Sequence, residues 1–184
     1  MKVTEIFFVI LLSVLSYSFV CSEELKPTER TLFQRFSKIQ GFGPIQVELT
    51  QNKYIGLSEN ELTDYVKLKF RNNFKGIQIL TMDQAAKIPA KGRGEKLGYI
   101  WFSVFTVGDT DYPVAYHVQC RAGNLKYLLN INNPLAPIHR NSIIWEESFL
   151  GVNKKSNAPD EIKACISKLM EELAIDFFKA RGEL

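Results

Sequence analysis

The chain has 184 residues, 46% hydrophobic and 23% charged, which suits one ordinary globular domain and excludes a disordered tail, a coiled-coil rod, a collagen-like repeat and a multi-span membrane protein. Lys+Arg 23 against Asp+Glu 20 leaves a net charge of +3, too small a bias to argue for a nucleic-acid partner.

Lys2 precedes an apolar run from Ile6 to Cys21. As a helix this run reaches about 24 Å, short of a hydrocarbon core of about 30 Å. A basic start, a short apolar centre and small residues behind it read as a secretory signal peptide over residues 1–22, cleaved before Glu23. The alternatives are an uncleaved N-terminal anchor and lipidation of Cys21, against which Val20 directly before the cysteine counts. The expected location is therefore the periplasm or the medium, with membrane contact only through an uncleaved signal or a lipidated Cys21. In that oxidising setting Cys120 and Cys165 pair if geometry permits; otherwise they are two reduced core cysteines.

Residues 23–44 read as a polar leader carrying a short amphipathic helix, with Leu32, Phe33, Phe36 and Ile39 on one side and a stop at Gly41-Phe-Gly-Pro44. A single domain follows over 45–184. Ile45, Val47 and Leu49 alternate with polar residues and predict a first strand. Ser58-Glu-Asn-Glu61 matches a capping box and predicts a helix over 59–74, with Leu62, Tyr65, Val66, Phe70 and Phe74 inward. Residues 76–81 form a second strand, and strand, helix, strand makes a right-handed parallel unit. A helical turn is expected over Met82–Lys87, then a Gly-rich basic loop carrying Lys91, Arg93 and Lys96. Leu97–Val107 is a strong strand, Gly108–Asp111 its turn, and Tyr112–Arg121 its hairpin partner. The chain stays extended to Asn130, breaks at Asn132-Asn-Pro134, and gives one more short strand over 142–146. Asn157, Pro159, Asp160 and Glu161 start a long amphipathic helix that Lys179, Arg181 and Gly182 finish. The fold class is α+β: a mixed sheet of about five strands with helices packed on it and a long C-terminal helix.

No metal, cofactor or catalytic set emerges. The two histidines, His117 and His139, have no ligand cluster around them. Asp109-Thr-Asp111 opens like a calcium loop, but Val114 and Cys120 stand where glycine and glutamate are required. His117 and Cys120, three apart on a strand, point to opposite faces and form no dyad. Gly92-Arg-Gly94 leads into a strand rather than a helix, the wrong setting for a phosphate loop. Leu97–Val104 only loosely echoes an RNA-binding aromatic strand.

One feature remains. Strand 97–107 is apolar on both faces, with Ile100, Phe102 and Val104 on one and Tyr99, Trp101, Phe105 and Val107 on the other. Either the two long helices cover one face and segment 32–39 the other, or Tyr99, Trp101 and Phe105 form a surface that docks a partner.

The motifs Gly56-Leu-Ser58, Val66–Arg71, Gly76–Thr81, Tyr99–Val104, Tyr116-His-Val118, Trp145 and Gly151-Val-Asn153 together resemble a family of small, exported, uncharacterised bacterial proteins. The resemblance covers roughly residues 45–180. The element order is also similar, at the level of fold alone, to the N-terminal domain of periplasmic TolB. The resemblance implies bacterial export and a compact α/β module, and transfers no catalytic residue.

The expected function is a non-enzymatic periplasmic or secreted module that binds a protein or other envelope component. Two alternatives stand beside it: a carrier holding a small apolar ligand between the sheet and segment 32–39, and a hydrolase using Glu146 and Glu147 on an envelope polymer.

Overall fold

Ser58 does what its place in the capping box predicts. Its hydroxyl accepts from the Glu61 backbone N–H at 3.1 Å and opens helix α1, Glu59–Asn73. The reciprocal half is replaced, because the Glu61 carboxylate takes the Lys163 ammonium at 2.6 Å. This computed structural model describes residues 33–50, 55–87, 93–108, 113–128 and 138–184. The compact unit runs Thr31–Leu184.

Along α1, Leu62, Val66 and Phe70 are buried, as is Phe74 at its end, while Tyr65 is half-buried and shares a 2.8 Å hydrogen bond with the Ser167 hydroxyl. A second box of side-chain caps lies at Thr81 and Gln84. Thr81 Oγ1 accepts from the Gln84 N–H at 3.2 Å and Gln84 Oε1 from the Thr81 N–H at 2.9 Å, opening the short helix α2, Met82–Lys87. A single helical turn, α3, spans Arg93–Lys96. The long helix α4, Ala158–Arg181, buries Ile162, Ile166, Leu169, Leu173 and Phe177 at the predicted spacing. It ends at Gly182, where φ of 70° is the left-handed conformation that glycine adopts without a Cβ penalty.

Among the described residues the sheet has six strands: β1 Gly41–Phe42, β2 Gln46–Thr50, β3 Gln78–Ile79, β4 Leu97–Val107, β5 Val114–Leu128 and β6 Ile138–Asn153. The order is β3-β1-β4-β5-β6, with β2 also on β4. Both β1 and β2 run parallel to β4, so they are two pieces of one extended passage interrupted around Pro44, which has no N–H to give a ladder. β3 runs parallel to β1, so the chain does cross over α1 between parallel strands, but the partner is Gly41–Phe42 rather than the strand expected from Ile45, and β3 covers only two of the residues expected over 76–81. β4, β5 and β6 form an antiparallel meander. The fold is thus α+β with a mixed sheet, helices packed against it and a long C-terminal helix.

Three expectations change. Segment 33–42 is neither a leader nor a cover for the far face. Its 3-10 turn, Gln34–Lys38, puts Phe36 5.7 Å from the Phe177 ring, and Phe42 lies 5.5 to 5.6 Å from Phe70, Phe74 and Phe177. Burial of these aromatic side chains makes the segment part of the core on the helix side, so the domain begins before residue 45. Second, the last strand is 16 residues long rather than a short piece at 142–146, and Gly151-Val-Asn153 lies inside it. Third, residues 93–96 are helical rather than loop. The signal peptide, Cys21, the loop at 88–92, the turn at 109–112 and the break at 132–134 lie outside the described residues.

Candidate functional site: the open face of the sheet

Directly paired strand residues point to the same side of a sheet. The register therefore sorts the central strands into two faces. Phe102 pairs with Val47 and Cys120, and Ala122 with Trp145; these are buried under the helices. The opposite face carries cross-strand rows. The first is Gln46, Trp101, Arg121 and Glu146; the next are Glu48, Ser103, Gln119, Ser148 and then Thr50, Phe105, His117, Leu150. Val107, Ala115 and Val152 finish it.

The first row is organised by charge. The Arg121 guanidinium lies 5.1 Å from the Trp101 ring centroid. Its Nε is 3.2 Å from Glu146 Oε2, and Nη2 donates to Oε1 at 3.2 Å. Gln119 Nε2 donates to the same Oε1 at 2.6 Å. A half-exposed ion pair of this kind contributes at most about 1 kcal/mol, so its use is orientation: it holds the guanidinium over the indole. Beside this row Tyr99 lies over Gly123, where a Cβ would come 3.0 Å from Tyr99 Cε1. Burial pushes the Tyr99 phenol up to about 12, with Arg121 partly opposing the shift.

The other end of the face is apolar and open. Phe105 is 39% exposed, Leu150 81% and Val152 67%. Tyr99, Trp101 and Phe105 therefore do share one face, and segment 33–42 does not cover it. They are not equivalent: Tyr99 and Trp101 are half-buried among neighbours, and Phe105 stands out. The partners Gln119, Arg121 and Leu150 were missed. Only the strand register, not local spacing, brings Arg121 onto Trp101.

The remaining sequence candidates separate. Cys120 and Cys165 are both free thiols, the first buried and the second half-buried. Burial raises both above the usual thiol range, strongly for Cys120. His117 faces Phe105 on the open side, away from Cys120. Glu146 faces Arg121 while Glu147 is paired with Cys120, so these two carboxylates point to opposite faces. The space envisaged for an apolar ligand, against segment 32–39, is filled by Phe36, Ile39 and Phe42, all 0% exposed. Two solvent-open grooves occur elsewhere. One, of ≈ 470 Å³, lies along β3 between Lys67, Arg71 and Gln84; another, of ≈ 530 Å³, lies among Lys38, Glu95, Lys96 and Arg181. Among the described residues no group of three His, Cys, Asp or Glu side chains is placed to hold a metal ion, and no helix is long and apolar enough to cross a membrane.

No family model and no curated protein matches the sequence. Among solved structures, the chain is similar to a PelC dodecamer from Paraburkholderia phytofirmans, at 8% identity and a TM-score of 0.45 over 74% of this chain and 89% of that one. It is also similar to a protein from Helicobacter pylori described as a homolog of the neuraminyllactose-binding hemagglutinin, at 14% identity and a TM-score of 0.41 over 80% of this chain and 89% of that one. At such values these likenesses carry nothing about what this chain binds.

Proposed function

We propose that the chain is an exported, non-enzymatic binding module whose open sheet face docks a protein component of the bacterial envelope. The observation that carries this reading is the Trp101 row. A half-exposed indole with a guanidinium fixed over it by Glu146, leading to an exposed phenylalanine at Phe105, offers the side chains that dominate protein interfaces, already oriented. Docking would bury Trp101, Phe105 and the Arg121–Glu146 pair together, and preorganisation lowers the entropy lost on binding. The apolar run before Glu23 and the resemblance to small exported proteins support the location.

The test is site-specific photo-crosslinking in the native host, with the probe at Ser103 between the first and third rows and a control probe at the exposed Glu171 on α4. The expected result is a discrete protein adduct from Ser103 only, lost in Trp101→Ala while the circular dichroism spectrum is unchanged. Equal adducts from both probes, or none from Ser103, would overturn the reading.

A further inference from the structure

The two edges of the sheet are unlike. The edge opposite β6 is made of β3, two residues long, and the outer side of β2, five residues long and paired only with β4, and such short edges are poor templates for another strand. The β6 edge belongs to a strand of 16 residues. Its one irregularity, the register shift opposite Ala122 and Gly123, lies before Trp145. From Trp145 to Asn153 the edge carries no proline, lysine or arginine, the residues that commonly blunt an exposed edge. It does carry Leu150 and Val152, 81% and 67% exposed.

The same stretch is polar in a directional way. Glu146 and Glu147 stand at one end, and Lys154 and Lys155 follow at the other. Among the described residues Glu147, Lys154 and Lys155 take part in no ion pair. An antiparallel copy of this strand brings each acidic end against a basic end, whereas a parallel copy sets like charges together. The edge is thus complementary to its own inverse.

We propose that β6 pairs antiparallel with β6 of a second copy about a twofold axis through Leu150, extending the sheet across the dimer. With Leu150 on the axis, Glu146, still paired with Arg121, faces Lys154 of the second copy, Glu147 faces Asn153 next to that lysine, and Val152 faces Ser148, diagonal to Leu150, so four apolar side chains gather at the axis. On the helix side Phe149 faces the bare Cα of Gly151. Glycine is required there in each copy already, because a Cβ would run into the Tyr116 ring. Sliding the register so that Val152 meets Glu146 sets an apolar side chain against a carboxylate. The pairing uses up the long edge and leaves outside only the short sides of β3 and β2, two and five residues long, so the assembly closes at two. The axis stands normal to the sheet, so both open faces lie side by side. The dimer rests on the edge chemistry alone; only this doubling of the docking face rests on the function proposed above.

Sedimentation or light scattering of the purified chain tests the dimer. Twice the chain mass is expected, falling to the single mass in the Leu150→Lys, Val152→Lys double variant with an unchanged far-ultraviolet circular dichroism spectrum. In a Cys165→Ser background, oxidation of Leu150→Cys alone is expected to give a covalent dimer, and Val152→Cys at least tenfold less. A single mass at the highest soluble concentration, or a double mass indifferent to the lysine variant, would overturn the dimer. Equal crosslinking through Val152→Cys would overturn the axis. Trp101→Ala leaves the β6 edge untouched, so it is expected to abolish the Ser103 photo-crosslink and keep the double mass, which separates a failure of docking from a failure of the dimer.

Discussion

The sheet buries one face and displays the other, and the two are built from the same strands by opposite means. On the helix face, Phe36, Phe42, Phe70, Phe74 and Phe177 interlock, with the Phe70 and Phe74 rings stacked at 4.5 Å and Phe42 and Phe177 crossing them. This is close packing, stabilised by loss of water and by dispersion. On the open face the contacts are a guanidinium over an indole, a shared carboxylate and an exposed Phe105. Those contacts hold orientation rather than the fold. The difference teaches that an aromatic residue on a strand says little until its face is known: Phe102 is 0% exposed, yet Phe105 three positions on stands in solvent.

The contrast can be broken hardest at Phe177, which touches Phe36, Phe42, Phe74 and Phe178. Phe177→Ala should cost about 3–5 kcal/mol in denaturant unfolding. Gly123→Ala is next, since its Cβ would land on the Ser142 carbonyl oxygen across the ladder. Backbone must move there, and a loss of about 1–3 kcal/mol is expected in the same measurement. Tyr99 sharpens the comparison through pH. Its phenol is held protonated in the folded state to about 12. The unfolded phenol ionises near 10, so the stabilisation is complete below that value and is lost as pH rises through 12. Thermal unfolding should lose stability over this window more steeply in the native chain than in Tyr99→Phe, and equal slopes would contradict the burial. The smallest effect belongs to Phe105→Ala, which should move stability by no more than about 0.5 kcal/mol while reducing partner crosslinking at Ser103.

Much of the helix layer was legible because local chemistry dictates it. Ser58, Gly182 and the apolar spacing of 162–177 each specify a helix start, stop or face without reference to the rest of the chain. The α4 cap was less so: Asn157 makes no side-chain cap bond. The length of β6 was not legible. The register shift near Ile144 breaks its alternation, and beyond it the open-face positions pass from Glu146 and Ser148 to Leu150 and Val152, so neither face reads as consistently apolar. The side taken by segment 33–42 was hidden for another reason. An amphipathic turn shows that one flank is buried but not against which layer, and here Phe177, 141 positions after Phe36, decides it. The site divides in the same way. Alternation placed Tyr99, Trp101 and Phe105 together, while Arg121, 20 positions beyond Trp101, reaches it only through the β4–β5 register.

The chain contains two tryptophans, Trp101 and Trp145, and they sit on opposite sides of the same sheet. Trp145 is buried and its indole N–H donates to Asp176 on α4 at 3.0 Å, whereas Trp101 is half-exposed beneath Arg121. Intrinsic fluorescence of the protein is therefore a sum of two separable signals. Trp101→Phe leaves an emission that follows the seating of α4 on the sheet, and Trp145→Phe leaves one that follows solvent access to the docking face. Unfolding and partner binding, which share one spectrum in the native chain, become two independently readable channels.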